Sequence, residues 1–538
     1  MAMLPFQAAV LCALVQYSRS IDPRFPPYFK FGAGTAAYQV EGGWNADGKG
    51  ESMWDTHLHE YPGDIKGNAT GDVAADSYHL WREDVKIAAK LGLQYYKFSI
   101  NWPRVLPTGF TNKINPAGVK YYSDLIDALL AEGIEPIVTL YHWELPTTIL
   151  RLGAWTNPLI VKWFGDFSRV IYSLYADRVK TWVTINEPIV MCDFYYNTGF
   201  YPTRLKDPDL APFLCNRHVM LAHAKAYRIF EQEFRPKHEG RISIANNLLW
   251  IEPATPDDEE LARLGREHQW GRYCHPIFSK EGGWPLSIEK LMLEVSLKQG
   301  YKESRLPPFT EEEKAFVKGT ADFFGMNHYT TNMIRSARPG DKPGIWFTTG
   351  SPELNAILES PPEATFGATP ILPVYPKGIR KQLSWLKQHY GDIDIIITEN
   401  GYASTGHQLN DFERADFIKN YLEQVLLAIK VDNVRVTGYI VWSLIDSFEW
   451  LDGYNTKFGL YEVDYDHPNR TRTPRVSADY YACVIANRSL DVPDSCYNKK
   501  SVARRKGERN GGHIEKDKFV LRVNVIVFIL SFVYKTGY

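Results

Sequence analysis

Several features typical of nucleic-acid-binding, cofactor-binding and metal-binding proteins are missing from this 538-residue sequence. Its formal net charge is −2, which argues against a nucleic-acid or other polyanionic partner. No Gly-rich phosphate-binding loop occurs, and no cluster of His, Cys, Asp and Glu has metal-ligand spacing. We therefore expect neither a cofactor nor a metal ion.

The sequence also lacks a long uninterrupted apolar segment. The apolar run at 519–534 contains Arg522 and Asn524, whereas a transmembrane helix needs roughly 20 predominantly apolar residues. We expect no stable membrane insertion. Residues 494–538 are predicted to be a C-terminal extension that is disordered or weakly associated with a membrane, with a removed lipid-anchor signal as an alternative.

Cysteine is scarce, with six residues in the chain. One of them lies in residues 1–20, an apolar stretch that ends in the small-x-small pattern Ser18-Arg19-Ser20 and is predicted to be a signal peptide. Cys192 and Cys215 are either disulfide-bonded or independent buried thiols. Asn-x-Ser/Thr sequons, the acceptor sites for N-glycosylation, occur at Asn68, Asn469 and Asn487. These features predict a secreted glycoprotein, for example of a digestive or defensive fluid.

No Pro/Gly/Ser-rich linker divides residues 21–493, although the length alone would suggest several domains. Eight strand candidates recur, most of them followed by a helical pattern. They span 29–34, 95–102, 136–143, 182–188, 241–250, 323–329, 395–401 and 436–445. This alternation predicts an α/β protein built as a single (β/α)8 TIM barrel.

The segments between the strand candidates supply helices and long loops. Amphipathic patterns at 72–91, 116–132 and 411–430 predict helices, the last beginning with Asp411 as its N-cap. The connections at 195–213 and 335–375 are much longer than the barrel requires. We expect both to form walls of a pocket at the C-terminal face of the barrel.

Two of the predicted strands end in a glutamate. Glu399 follows the apolar run at 395–398, and Glu187 lies in the sequence Thr-Ile-Asn-Glu-Pro at 184–188. Taken alone, Glu399 is also compatible with an anion at a helix N-terminus. In a barrel, however, the carboxyl ends of all strands meet at one face, so the two glutamates would share a site. Paired carboxylates that flank a bond are what glycoside hydrolysis requires.

Four further motifs lie at the ends of other strands, in chain order. They are Tyr-Gln-Val-Glu-Gly at 38–42, Tyr-His-Trp-Glu-Leu-Pro at 141–146, Asn-His-Tyr at 327–329 and Trp-Ser-Leu-Ile-Asp-Ser-Phe-Glu-Trp at 442–450. With these motifs, residues 29–486 resemble the β-glucosidases of glycoside hydrolase family 1. This family has secreted animal members and includes myrosinase-like and lactase-like relatives.

The resemblance implies a role for each site residue. Glu399 would be the nucleophile and Glu187 the general acid and base, in a double displacement that retains configuration with carboxyl groups about 5 Å apart. Asn186 would donate to the sugar 2-hydroxyl, while Tyr329 and Lys97 would support Glu399. The family usually has Arg where Lys97 stands. The implied substrate-binding residues are Gln39, His142, Trp143, Asn327, Trp442, Glu449, Trp450 and Phe458.

The implied activity is hydrolysis of O-linked β-D-glucosides, with β-galactosides and β-fucosides as further substrates. Glu449 would reject 6-phosphorylated sugars, because like charges would meet in a desolvated site. A thioglucosidase of the myrosinase kind and a cyanogenic-glucoside hydrolase are alternatives in the same barrel. A non-catalytic binding protein that kept the fold is a more remote alternative. The expected partner is a small-molecule β-glucoside, and a homodimer stays open.

Overall fold

Eight parallel strands close into a barrel whose order follows the chain, so that the last strand pairs with the first. The computed structural model describes residues 21–199, 202–346 and 348–496. The predicted signal peptide and residues 497–538 of the predicted extension lie outside these ranges. The barrel strands are β1 (Lys30–Gly34), β2 (Tyr95–Ser99), β3 (Glu135–Tyr141), β4 (Thr181–Asn186), β5 (Arg241–Asn247), β6 (Phe324–Asn327), β7 (Ile395–Asn400) and β8 (Val436–Trp442). The predicted (β/α)8 barrel is confirmed.

The interior of the barrel is filled by a compact layer of buried side chains. The layer consists of Tyr95, Ile137, Val183, Ala245, Phe323, Ile396 and Ile440. Strand β1 contributes no side chain to this layer, because its residue next to Tyr95 is Gly32. A Cβ added at Gly32 would come within 2.7 Å of the Tyr95 Cβ, so there is no room for a larger residue. The barrel therefore has a packed core rather than a pore, and ligands can reach only its ends.

Helices surround the barrel and bury their apolar faces against it. The helices of at least seven residues are Met53–Glu60, Ser77–Leu91, Pro116–Ala131, Ile160–Tyr175, Ala211–Ile229, Glu259–Arg266, Arg272–Phe278, Leu286–Lys298, Glu311–Val317, Lys377–Tyr390, Phe412–Lys430 and Val476–Asn487. None of the helices in the described ranges is both long and apolar enough to span a membrane.

Two helix predictions need correction at their N-termini. The helix predicted from residue 72 begins at Ser77, because Ala74 and Asp76 have left-handed backbones, with φ of 47° and 54°. Asp411 lies at the N-cap position of Phe412–Lys430, but its side chain does not cap that helix. Its carboxylate instead accepts hydrogen bonds from the backbone N–H and the hydroxyl of Ser477, and so joins two helices.

Seven of the eight strand predictions were too long at their C-terminal ends, the exception being 29–34. In the clearest case, β5 ends at Asn247, and Trp250–Pro253 instead pairs with Thr331–Ser336 in a separate four-stranded sheet. Apolar residues resume at Leu248, directly after Asn246 and Asn247, so hydrophobicity did not mark the point at which the chain leaves the barrel.

Two disulfides join parts of the outer shell. Cys192 and Cys215 are bonded, with Cα atoms 5.3 Å apart, which decides between the two alternatives left open by the sequence. A second disulfide, which the sequence did not indicate, joins Cys483 to Cys496, three residues beyond the predicted domain boundary. Cys274 is a buried free thiol.

Candidate active site

The two predicted catalytic glutamates lie where their strands lose regular pairing. The register of β4 with β5 shifts between Val183 and Asn186, and β7 shifts against both of its neighbours between Ile397 and Asn400. Such irregularities re-aim side chains at the end of a strand. Glu187 has a left-handed backbone with φ of 46°, and its N–H donates to the Ala245 carbonyl at 2.7 Å.

Position 401, which follows Glu399 and Asn400, has no room for a side chain. A Cβ at this position would come within 2.2 Å of the Trp442 carbonyl oxygen. The glycine therefore permits close approach of β7 to β8, and its φ is not positive. This approach brings Glu399 and Trp442 into the same cavity.

Glu399 is almost fully buried and is held by a cation and a phenol. Lys97 Nζ donates to its Oε1 at 2.5 Å, and the Tyr329 hydroxyl donates to its Oε2 at 2.8 Å. Lys97 is itself fully buried. Burial, followed by the charges of Glu399 and Glu187, raises the pKa of Tyr329 well above its usual value, so its hydroxyl stays a donor. Both partners favour the ionised carboxylate of Glu399.

Glu187 is equally buried, but amides rather than a cation surround it. Asn327 Nδ2 donates to its Oε1 at 2.6 Å. Burial, followed by the charge of Glu399, raises the pKa of Glu187 to about 8. At neutral pH, Glu187 is therefore a protonated acid next to an ionised carboxylate.

Asn327 does not fit the expected role in substrate binding. It is fully buried and absent from the cavity wall, and its amide is used by protein groups. Besides Glu187, its Nδ2 reaches Asn186 Oδ1 at 3.2 Å, and its Oδ1 accepts from the Thr398 hydroxyl at 2.6 Å. Asn327 thus links β7 to β4 from behind the glutamates.

Asn186 and His142 form a second buried contact beside Glu187. Asn186 Oδ1 accepts from Lys97 Nζ at 2.9 Å, and its Nδ2 lies 3.2 Å from His142 Nε2. Burial and the charge of Lys97 lower the pKa of His142 well below its usual value, so the ring is neutral. Its Nε2 then accepts from Asn186, which leaves the proton on Nδ1.

Two buried polar atoms in the cavity have no hydrogen-bond partner in the part of the chain that the structure describes. They are His142 Nδ1 and Gln39 Oε1. Buried polar groups are rarely left unpaired, so this donor and this acceptor are suited to the hydroxyl groups of a ligand. Both residues were predicted to bind substrate.

Glu449 is a third carboxyl group in the cavity, and it is half-buried. Its Oε1 accepts from the Ser447 hydroxyl at 2.6 Å and from Gln39 Nε2 at 3.3 Å. Burial, opposed by the Ser447 hydrogen bond, raises the pKa of Glu449 to about 8. It forms no ion pair with any residue in the described ranges, in contrast to Glu399.

These groups surround a cavity of about 440 Å³ at the C-terminal end of the barrel. Of the predicted residues, the cavity wall contains Gln39, His142, Trp143, Glu187, Tyr329, Glu399, Trp442, Glu449, Trp450 and Phe458. Lys97, Asn186 and Asn327 lie behind this wall. The Trp442 ring stacks on His142, with centroids 5.8 Å apart, and presents a flat apolar surface to the cavity.

Several residues that line the cavity were not predicted from the sequence. Asn247, at the end of β5, hydrogen-bonds Glu187, and its position at a strand end could have indicated this. Val190 and Phe194 lie in a π-helix after β4, and no sequence signal marked them. The remaining missed residues lie on loops and in short elements outside the barrel: Lys66, Ala368, Thr369, Pro370, Ile371, Leu372, Leu451, Asp452 and Thr456.

Only one of the two long loops forms a cavity wall as expected. The segment at 335–375 contributes the residues from Ala368 to Leu372. No described residue of 195–213 lines the cavity. That segment instead contains the short helix Tyr196–Thr198 and the start of Ala211–Ile229, and Pro212 and Phe213 lie beside Trp346.

Two further expectations concern the three glycosylation sequons and metal binding. Asn68, Asn469 and Asn487 are all exposed, so a glycan would have access to each. Within the described ranges, no group of three or more His, Cys, Asp or Glu residues could hold a metal ion.

A (β/α)8 barrel with two buried glutamates, one beside a lysine and the other beside amides, and with an aromatic platform in the same cavity, defines the class of the glycoside hydrolases. The model for glycosyl hydrolase family 1 matches residues 21–490, and the chain belongs to this family. It is 41% identical over 472 residues to Myrosinase 1 of Brevicoryne brassicae, covering 87% of this chain and 99% of that protein. It is 39% identical over 476 residues to the cytosolic beta-glucosidase of Homo sapiens, covering 87% and 99% of the respective chains.

Solved structures agree with this assignment. The aphid myrosinase structure superimposes with a TM-score of 0.82 at 40% identity, covering 86% of this chain and 99% of that one. The family 1 β-glucosidase from Thermotoga maritima superimposes with a TM-score of 0.77 at 33% identity, covering 87% and 99%. The chain is thus a family 1 glycoside hydrolase.

Proposed function

We propose that this protein is a retaining β-glucosidase that hydrolyses O-linked β-D-glucosides by double displacement. The observation that supports the proposal best is the difference between the two glutamates. Lys97 and Tyr329 favour the ionised form of Glu399, whereas burial and the charge of Glu399 keep Glu187 protonated. A nucleophile and an acid in one cavity are the pair that this reaction needs.

In the first step, Glu399 attacks the anomeric carbon while Glu187 transfers its proton to the leaving oxygen. The glycosidic bond breaks and an ester to Glu399 forms. The negative charge of Glu399 is then lost, which removes the second cause of the raised pKa of Glu187. Glu187, now ionised, takes a proton from water, which attacks the anomeric carbon and releases the sugar with retained configuration.

The sugar would be held by groups that have spare hydrogen-bonding capacity. His142 Nδ1 would donate to one hydroxyl, and Gln39 Oε1 would accept from another. Glu449 would bind the outer hydroxyls, and Trp442 would lie under the ring. This arrangement would accommodate glucose, galactose, which differs in configuration at C4, and fucose, which in addition lacks the 6-hydroxyl.

A direct test is the stereochemistry of hydrolysis, followed by proton NMR with an aryl β-glucoside. The proposal expects β-glucose as the first product, before mutarotation. First formation of α-glucose would contradict a double displacement. Absence of hydrolysis across aryl β-glucosides, β-galactosides and β-fucosides would contradict the proposed substrate class.

A thioglucosidase is the second candidate, because one of the most similar relatives carries the name Myrosinase 1. The proton on Glu187 favours O-glycosides, since a thiol is a good leaving group that needs little acid assistance. Aryl O-glucosides and S-glucosides of equal leaving-group acidity discriminate between the two. A higher kcat/KM for the S-glucoside would favour the second candidate, and cyanogenic glucosides belong in the same panel.

We further propose that the protein is secreted and glycosylated. Two disulfides, three exposed sequons and the predicted signal peptide support this location. Expression in a secreting cell line, followed by treatment with an N-glycosidase, would test it. Intracellular retention of an unglycosylated chain would contradict it. A homodimer stays a hypothesis that sedimentation of the purified protein would test.

A further inference from the structure

The solvent side of the catalytic cavity carries two charged side chains, which neutralise each other. Lys66 and Asp452 both line the cavity and form an ion pair. Their side chains are 66% and 28% exposed, whereas Glu187 and Glu399 are each 3% exposed. The ion pair therefore lies at the mouth of the cavity, away from the buried floor that would hold the sugar.

The rest of the mouth is uncharged and mostly apolar. Its walls include Val190, Phe194, Ile371, Leu372 and Leu451. Among the described residues of the cavity wall, the other carboxyl groups are those of Glu187, Glu399 and Glu449, the first two buried and the third half-buried. Apolar walls stabilise an apolar aglycone by removing its surface from water. An aglycone with a fixed negative charge would lose hydration there without meeting an unpaired cation.

The geometry around Asp452 holds the pair together. Its Oδ2 also accepts from the Thr456 hydroxyl at 2.9 Å, which fixes the carboxylate. Lys66 and Asp452 belong to two loops that pack closely, because a Cβ added at Gly453 would come within 2.9 Å of the Lys66 carbonyl oxygen. The Tyr454 hydroxyl also donates to the Thr70 carbonyl at 2.7 Å. The loops therefore present Lys66 to the mouth with Asp452 beside it.

We propose that the Lys66–Asp452 pair is a specificity determinant that makes the enzyme select uncharged, apolar aglycones over anionic ones. Asp452 cancels the charge of Lys66, so an anionic aglycone gains no counter-ion on binding. Without Asp452, Lys66 would be a free cation at the mouth and would attract such an aglycone. This inference rests on the proposed β-glucosidase function.

The test uses two aryl β-glucosides with equally acidic phenols, one neutral and one with a sulfonate on the ring. The readout is the ratio of kcat/KM for the anionic substrate to that for the neutral one. Asp452→Asn, which keeps an acceptor for Thr456, should raise the ratio about threefold, and Lys66→Met should lower it by a similar factor. Both shifts should shrink in about 1 M salt, because exposed charges are screened there.

A matched control is Lys381→Met, which removes a half-exposed lysine from an ion pair with Glu252 outside the cavity. This change should leave the ratio unaltered. If the wild type hydrolyses both substrates but neither mouth variant shifts the ratio, the inference is overturned and the proposed function is not. A wild-type preference for the sulfonated substrate would also overturn it. Failure to hydrolyse either substrate would overturn the proposed function and this inference with it.

Discussion

Glu187 and Glu399 are both 3% exposed, but their surroundings differ in charge. Glu399 contacts the ammonium group of Lys97 and the hydroxyl of Tyr329, whereas the side-chain hydrogen bonds to Glu187 come from the amides of Asn327 and Asn247. Burial alone would favour the neutral form of both carboxyl groups. The comparison shows that the two carboxyl groups differ in the charge beside them rather than in their depth of burial.

Two side chains connect these unlike surroundings. Lys97 Nζ donates both to Glu399 and to Asn186, the residue that precedes Glu187. Asn327 Nδ2 donates to Glu187, and its Oδ1 accepts from Thr398, the residue that precedes Glu399. The positions of the two carboxyl groups are therefore coupled through β2 and β6, which lie on either side of the pair.

The largest expected effect follows removal of the anion. Glu399→Gln keeps the volume but removes the nucleophile, so we expect kcat on an aryl β-glucoside to fall on the order of 10⁵-fold. Steady-state kinetics measures the loss, and circular dichroism checks folding. Glu83→Gln, at an exposed ion pair with Lys86, is the control and should keep wild-type kcat. Retention of more than a tenth of the activity in Glu399→Gln would refute the role of Glu399.

Removal of the acid should have an effect that depends on the leaving group. Glu187→Gln should lower kcat/KM by about 10² to 10⁴-fold for a poorly acidic phenol, and far less for dinitrophenol, which leaves without a proton. Added azide should restore turnover of the dinitrophenyl glucoside and yield a β-glucosyl azide. A loss of the same size for every leaving group would argue against acid catalysis by Glu187.

Lys97 is the residue that makes the two glutamates different. Lys97→Met removes the counter-ion of Glu399 within a buried pair, and we expect kcat to fall on the order of 10²-fold. Lys97→Arg retains the charge and should keep most of the activity. The acid limb of the pH profile should move to higher pH in Lys97→Met alone. Equal loss in both variants would indicate that packing, rather than charge, matters at this position.

Glu449 provides a comparison for stability, since it is a half-buried carboxyl group without an ion pair among the described residues. Its pKa is raised from 4.5 to about 8, so its ionised form is penalised by folding, and the penalty is absent below pH 4.5 and grows up to about pH 8. The full shift corresponds to about 4 kcal/mol at pH 8, and partial exposure of the side chain reduces it, so Glu449→Gln should raise the free energy of unfolding by about 2 kcal/mol at pH 8 and hardly at pH 4.5. Urea titrations at both pH values measure this, and equal changes at the two would contradict it.

The smallest expected effect is the basic limb of the wild-type pH profile. Because the pKa of Glu187 in the free enzyme is about 8, kcat/KM should fall above that pH, by about tenfold for each further unit. The profile should be measured with a poorly acidic aglycone. With a dinitrophenyl glucoside, Glu187→Gln should lack this limb. A limb that persists in the variant would have to be assigned to another group.

The barrel was predictable because its signals are local and repeated. Each strand is a short apolar run, and a glutamate after such a run, as at Glu399, is conspicuous in sequence. Strand ends were less predictable: β5 stops at Asn247 although apolar residues continue through Ile251. Pairing with Thr331–Ser336, which is distant in sequence, decides where the barrel strand ends.

Within the site, the motifs indicated most of the residues correctly, but they did not predict which groups those residues contact. The resemblance to the family indicated Asn327 but not that its amide would be used by Glu187 and Thr398. Lys66 and Asp452 belong to no motif, and they meet only because two loops distant in the sequence pack together. Such contacts depend on the tertiary fold and leave no local pattern.

The central claim, that Glu399 is an ionised nucleophile beside a protonated Glu187, is tested most directly by trapping the intermediate. The protein is incubated with a dinitrophenyl 2-deoxy-2-fluoro-β-glucoside, whose fluorine slows hydrolysis of the ester, and the peptides are analysed by mass spectrometry. We predict one fluoroglucosyl group per chain, on the peptide that contains Glu399, and none in Glu399→Gln. Attachment to any other residue, or turnover of ordinary glucosides without a trapped ester, would contradict the account.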